Sequence, residues 1–148
     1  MKLLPGGTGA AFGMAPQGER QLEIPPDWEI RRGQERYVPL AESGESGIWR
    51  WRKWADGSFE LLGAATVTAD VDRSWGALYY ATLLSGESYP FPIAAIDFAA
   101  AVIADMYCFA MGNLGGSLTD TGSVYALSPV QRPGTSLPLR LLIRGRWR

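Results

Sequence analysis

Apolar and polar positions alternate most clearly in the stretch Ile48 to Gly63. Trp49, Trp51 and Lys53 fall on one face of an extended segment, and Arg50, Arg52 and Trp54 on the other. Asp56-Gly57 follows, a dipeptide suited to a type I′ turn, in which both central residues take positive φ. The stretch therefore predicts a β-hairpin. A two-residue turn sets Trp54 opposite Phe59, Lys53 opposite Glu60 and Trp51 opposite Leu62. The aromatic pair and the opposite-charge pair are each worth roughly 0.2–1 kcal/mol across an antiparallel ladder. Tryptophan and cation on both faces predict a ribbon covered on both sides, with another subunit as one cover. The plainer reading is core tryptophans beside snorkelling arginines.

Short apolar runs broken by Gly, Pro, Asn, Asp or Ser continue to the end of the chain, the punctuation of an all-β domain. Ala64–Ala69 predicts a strand, Asp70–Ser74 a turn, and Trp75–Leu83 a second strand. Tyr89-Pro90-Phe91-Pro92 is expected outside any sheet, at an edge or corner, because neither proline donates to a ladder. Ala94–Met106 is apolar without a helical period. Its alanines favour helix, but its neighbours are strands and no N-cap precedes Ala94, so context selects strand. Gly112–Gly122 reads as a long polar loop, Ser123–Leu127 as a strand and Ser128–Ser136 as another loop. From Leu137 the chain alternates again: Leu139, Leu141 and Ile143 share one face, Arg140, Leu142 and Arg144 the other, in a final strand ending at Trp147.

Residues 1–46 are different. Met1–Pro26 is rich in Gly, Pro and small residues and follows neither period, which predicts a linker or extended arm stiffened by Pro25-Pro26. Trp28, Ile30, Tyr37, Val38 and Leu40 are apolar points in a charged stretch, expected to lie against the domain or a neighbouring subunit; a short helix from Asp27 is an alternative. Ala41–Gly47 reads as a second linker, which places the domain boundary at residue 47: an N-terminal arm over 1–46 and a β-domain over 47–148.

Composition narrows the function. The 148 residues include 18 Gly, 10 Pro and 6 Trp, a mix that favours turns and strands over a helical bundle. A net charge of -1 offers no broad basic field for nucleic acid. Charge is uneven, however: Glu19–Glu45 is mainly acidic, and after Asp120 only arginines carry charge. The single Cys108 excludes an intrachain disulfide and reads as a buried thiol. Pro5-Gly6-Gly7 ends the opening apolar run too early for a signal peptide. Asp97 and Asp105 interrupt the most apolar window, which argues against a membrane span.

Four segments in order resemble a known family. Trp51-Arg52-Lys53-Trp54-Ala55-Asp56-Gly57-Ser58-Phe59-Glu60, Trp75-Gly76-Ala77-Leu78-Tyr79, Tyr89-Pro90-Phe91 and the closing Gly145-Arg146-Trp147 are similar to segments of the C-terminal domains of phage and prophage tail fibres and baseplate appendages. The resemblance covers Gly47 to Arg148. It implies a jelly-roll-like antiparallel β-sandwich, assembled as a homotrimer at the tip of a virion tail. Such a domain binds host surface polysaccharide or protein, or caps the trimer among other tail and baseplate proteins. The family carries no shared catalytic motif to transfer. This chain departs in having no shaft-length stretch before the domain, which fits a short tail-tip protein, a fragment or a small separate subunit.

Candidate chemistry points to binding. There is no histidine, so Ser-His-Asp and Cys-His systems are absent, and neither metal nor cofactor is expected. No phosphate-cradling glycine loop stands between a strand and a helix. Asp70 with Asp72, and Asp97 with Asp105, are the carboxylate pairs a glycosidase would need. The first pair reads as turn residues, the second as solvent-facing or terminal residues of a strand. Glycans are held by aromatic faces with planar polar groups. Trp75, Tyr79 and Tyr80 offer that chemistry, as does the loop bearing Asn113 and Asp120 beside Tyr107 and Tyr125. Trp28, Trp49, Trp51, Arg144, Arg146 and Trp147 are the candidate subunit contacts, with the acidic N-terminal segment as electrostatic complement to the C-terminal arginines. The expectation is a non-enzymatic tail attachment protein. A purely architectural tail subunit is the alternative, and a glycan-degrading enzyme stands behind both.

Overall fold

The alternation at the end of the chain becomes the longest strand. In the computed structural model, which describes residues 28–30 and 37–148 with side chains from residue 38 onward, Leu137, Leu139, Leu141 and Ile143 are all buried on one face of a strand spanning Arg132–Arg146. Arg140 and Arg144 stand exposed on the other face. The remaining strands, in chain order, are β1 (Trp28–Ile30), β2 (Tyr37–Ser46), β3 (Trp49–Trp54), β4 (Ser58–Val71), β5 (Arg73–Trp75), β6 (Leu78–Ser85), β7 (Ala95–Ile103), β8 (Phe109–Gly112) and β9 (Ser123–Ser128), so the arginine-ended strand is β10. No helix occurs among the described residues, and so none is long and apolar enough to cross a membrane.

The strands form two antiparallel sheets, one ordered β1-β2-β3-β4-β10-β7 and the other β5-β6-β9-β8. They close on a shared core. Trp49, Phe59, Leu61, Leu139 and Ile143 come from the larger sheet, Ala81, Leu83, Val124 and Ala126 from the smaller. This is the two-layer solution an all-β chain needs to bury one face of each sheet. The chain changes sheet at Asp72 between β4 and β5, over residues 86–94 between β6 and β7, over 104–108 between β7 and β8, and over 129–131 between β9 and β10. Strand is indeed the state of residues 95–103, where alanine propensity alone would favour helix. Pro138 accepts from the Ala104 N–H at 2.9 Å but has no N–H to return, and the β7–β10 ladder stops there after Ile103.

Three expectations change, in addition to that for Arg132–Ser136, expected within a loop but part of β10. The hairpin register is shifted by one residue: Lys53 faces Phe59, Arg52 faces Glu60, and Trp51 faces Leu61. The loop is Ala55-Asp56-Gly57, with Gly57 at φ 92° and its N–H on the Trp54 carbonyl at 3.0 Å. A three-residue loop ending in a left-handed glycine uses the same Asp-Gly pair as a type I′ turn. The shift matters because opposed residues share a face. It sets Trp49, Trp51 and Lys53 beside Phe59, Leu61 and Gly63 on the inner face, and leaves Glu60 outside.

Second, Ala41–Ser46 is not a linker. These residues belong to β2, hydrogen-bonded along β3 from Leu40–Trp54 to Ser46–Trp49. The boundary expected at residue 47 therefore falls between two paired strands. The linker or extended arm expected over Met1–Pro26 lies outside the described residues. Third, Asp70–Ser74 is not a turn. β4 runs on to Val71 and, after the crossover, Arg73–Trp75 pairs with β6 through a two-residue turn at Gly76-Ala77. Asp70 instead accepts the Gly134 N–H at 2.6 Å, holding a bulge in β10 that contains Pro133.

Tyr89-Pro90-Phe91-Pro92 lies outside the strands, as expected, but its rings turn inward. Tyr89 meets Trp49 edge-on at 5.7 Å, and Phe91 meets Phe59 at 5.3 Å and Trp51 at 5.8 Å. The Trp49 indole donates to the Ser88 carbonyl at 2.9 Å. The segment plugs the inner face of the hairpin, which the chain thus covers itself. Lys53 joins this cluster. Its ammonium sits 4.4 Å from the Phe91 ring and 4.9 Å from that of Trp147, and pairs with Glu42 at 2.6 Å. The closing Gly145-Arg146-Trp147 docks on the hairpin tip: the Trp147 N–H donates to the Gly57 carbonyl at 2.8 Å and its indole to the Trp54 carbonyl at 3.2 Å. A side chain at Gly145 would overlap the Ala95 carbonyl, so only glycine fits there.

Candidate functional site

The inner face of the smaller sheet is core; its outer face is where exposed aromatic residues gather. Pairing across strands dictates which ones. Arg73 on β5 lies opposite Tyr80 on β6, which lies opposite Leu127 on β9, which lies opposite Phe109 on β8. The next row outward-facing residues away runs Thr82, Tyr125, Met111. Trp75 closes the face at the β5–β6 turn, opposite Leu78. Because residues directly opposed share a face, these rows make a surface of aromatic rings and thioether rather than the polar face an exposed sheet usually carries.

Arg73, Ser74, Trp75, Tyr80, Thr82, Met111, Tyr125 and Leu127 line an open depression of about 510 Å³ on this face, a size that suits a small ligand. Leu127 is its buried floor and Trp75, 52% exposed, its wall. Tyr80 and Tyr125 meet edge-on at 5.9 Å. The Arg73 guanidinium stacks on Tyr80 at 4.7 Å and reaches the Thr82 hydroxyl at 3.4 Å. No carboxylate is among the lining residues.

The seven residues expected to bind ligand do not all meet. Trp75, Tyr80 and Tyr125 come together here. Tyr79, one position along β6 from Tyr80, turns to the opposite side and packs against the core. Tyr107 is exposed at the β7–β8 crossover, where its ring faces Arg132 at 5.5 Å. Asn113 and Asp120 order their own loop. The Asn113 carbonyl accepts the Gly116 N–H at 2.8 Å. Asp120 accepts from the Thr119 hydroxyl at 2.8 Å and the Gly122 N–H at 2.9 Å, bonds that hold its carboxyl below the usual range. Sequence reasoning missed Arg73, Ser74, Thr82 and Met111. The signal was Gly76-Ala77: reading it as a two-residue turn puts Arg73 opposite Tyr80 at once.

Two of the four carboxylates considered for catalysis have structural partners. Asp70 holds the β10 bulge. Asp105 accepts from both Arg132 nitrogens at 2.9 and 3.3 Å and from the Tyr107 N–H at 2.8 Å, and the Arg132 hydrogen bonds above all bring its pKa down to about 2. Asp97 is exposed on β7. Among the described residues no three His, Cys, Asp or Glu side chains gather as a metal site would require. Burial raises the Tyr89 phenol to about 12, with the Asp120 charge adding to it, and burial also raises the Cys108 thiol.

The outer face of the larger sheet is a second candidate surface. Glu45, Arg50, Leu62, Leu142, Arg140, Ala100 and Val102 line a shallow groove of about 750 Å³. Phe98 and Val102 on β7 are exposed there, and Arg144 pairs with Glu60 of its own chain at 2.8 Å. Of the other expected subunit contacts, Trp49 is 3% exposed and so already buried in the chain's own core, a correction to its expected role at an interface. Trp51 is half-buried against Phe91, Trp147 is half-buried on the hairpin tip, and Arg146 is exposed. The Trp28 side chain lies outside the described residues.

No protein-family model and no curated protein matches the chain. Among solved structures, it is similar to the C-terminal residues 323–691 of an R2 pyocin fibre from P. aeruginosa, at 17% identity and a TM-score of 0.37, over 74% of this chain and 26% of that one. The chain thus spans about a quarter of the length of that fibre fragment. A likeness at that level does not by itself carry a function.

Proposed function

We propose that this chain is a non-enzymatic tip module of a phage tail fibre or baseplate appendage, attaching to a host-surface saccharide through the outer face of the smaller sheet. The observation that carries the reading is the depression walled by Trp75, Tyr80 and Tyr125. An exposed indole beside polar side chains is the chemistry that stacks on the apolar face of a sugar ring while hydroxyls are hydrogen-bonded at its edge. The four ordered segments that resemble tail-tip domains supply the biological setting, the virion tail. The jelly-roll-like form is supported by strand order: the last strand, β10, returns between β4 and β7, opposite β6-β9-β8. Homotrimeric assembly follows from the resemblance and is tested by light scattering.

The test of attachment is binding of the full chain to a glycan array and to polysaccharide released from candidate host envelopes. Trp75→Ala should weaken binding by about tenfold, the order expected for losing a stacked aromatic face. An architectural reading is favoured by the groove on the larger sheet, with its exposed Leu62 and Val102. A blank array from an intact trimer would select it over attachment. Release of reducing sugar from host wall material would instead select the enzyme.

A further inference from the structure

The depression on the smaller sheet has one cation and no anion. Its lining residues are neutral except Arg73. Among the described residues Arg73 makes no ion pair, unlike Lys53 with Glu42, Arg132 with Asp105 and Arg144 with Glu60. Its guanidinium is nonetheless held. One face lies on Tyr80 at 4.7 Å, and one nitrogen reaches the Thr82 hydroxyl at 3.4 Å. Stacking fixes the plane of the fork and leaves its remaining edge N–H groups free to donate. A pre-oriented guanidinium loses less freedom on binding than a mobile one, and its paired donors match the two oxygens of a carboxylate or phosphate. Trp75, on the same strand two residues along, stands where a ring carrying that anion would stack.

We infer that the ligand of this site is an anionic saccharide, with Arg73 receiving its carboxylate or phosphate group and Trp75 the sugar ring. The inference rests on the saccharide-binding reading above and specifies its ligand class. Ser74 and the Tyr80 and Tyr125 hydroxyls are the neutral groups left for sugar hydroxyls. A carboxylate in the lining would repel an acidic ligand, and none lines this depression, whereas a neutral sugar gains nothing from Arg73 beyond an ordinary hydrogen bond.

The experiment titrates the full-length chain by calorimetry with three probes: an oligosaccharide alternating glucuronate and N-acetylglucosamine, the same oligosaccharide with its carboxyls reduced to alcohols, and an oligomer of glycerol phosphate. Wild-type protein should bind one of the two anionic probes about tenfold more tightly than the reduced probe, the order of one charge-assisted hydrogen-bond pair at an exposed site. Whichever anion is preferred identifies its source as uronate or polyol phosphate. Arg73→Gln should abolish the preference, weakening the anionic probe about tenfold more than the reduced one; Arg73→Lys, which keeps the charge but not the fork, should restore only part of it. The preference should also shrink as salt rises. Equal affinity for acidic and reduced probes, both lost in Trp75→Ala, would overturn the anionic assignment and leave the saccharide site standing. No binding of any probe by the folded protein would overturn both.

Discussion

Two aromatic clusters in this chain are built from the same residue types and end in opposite states. Inside, Trp49, Trp51, Phe59, Tyr89 and Phe91 meet ring to ring, and Lys53 lies over Phe91 and Trp147. Outside, Trp75, Tyr80 and Tyr125 surround Arg73. The inner cation has a carboxylate at 2.6 Å, and the Trp49 indole has a carbonyl at 2.9 Å. A buried charge without such a partner would cost several kcal/mol, so the inner cation is answered within the chain and has no free charge to offer a ligand. The outer cation has a ring beneath it and a long bond to a hydroxyl, with water on its open side. Aromatic residues and cations alone therefore do not mark a site. Whether the cation is already answered by an acid of the same chain decides between core and binding surface.

Removing Phe91 breaks the inner cluster most directly, since its ring touches Trp51, Phe59 and the Lys53 ammonium. Phe91→Ala should cost about 3–5 kcal/mol, the usual range for a core phenylalanine, read as a lower urea midpoint. A milder probe is acid. Asp105 and Arg132, with Tyr107 beside them, form a third cation–aromatic contact that an acid answers. The Asp105 carboxyl is held down at about 2 by the Arg132 hydrogen bonds, below its unfolded value of about 3.9. Its contribution to stability is therefore complete above about pH 4 and disappears as pH falls toward 2. Thermal melts across that window should show a steeper acid loss in wild type than in Asp105→Asn; identical slopes would mean the pair contributes nothing. Smallest should be the outer cluster. Trp75→Ala and Arg73→Gln should each move stability by no more than about 0.5 kcal/mol, as surface substitutions do, while changing ligand binding. A large loss of stability in either would move that residue from the site to the scaffold.

The candidate site was half legible. Trp75, Tyr80 and Tyr125 could be named from the aromatic chemistry that holds glycans, as could Tyr79, which the fold turns to the core. Arg73 could not, while Asp70–Ser74 was read as a turn. That reading failed because Asp and Ser favour turns by bonding nearby backbone, yet here Asp70 bonds Gly134, 64 residues away. Asp120 looks like a ligand group in a polar loop, and only the folded loop shows its carboxylate oxygens already occupied.

The alternation of Leu137 to Ile143, the breaks at Pro90 and Pro92, and the Asp-Gly reversal are local facts, and the chain's own order of residues determined them. They required strands, excluded the prolines from ladders and placed a tight reversal near residue 57. Which strands pair, and in what register, was decided by the tertiary structure. Both two- and three-residue loops accept Asp-Gly, and the choice fell to burial: one register puts Phe59 and Leu61 against the second sheet, the other puts Glu60 there. Partners tens of residues apart are selected by the area they jointly hide, a quantity that no short window of sequence contains.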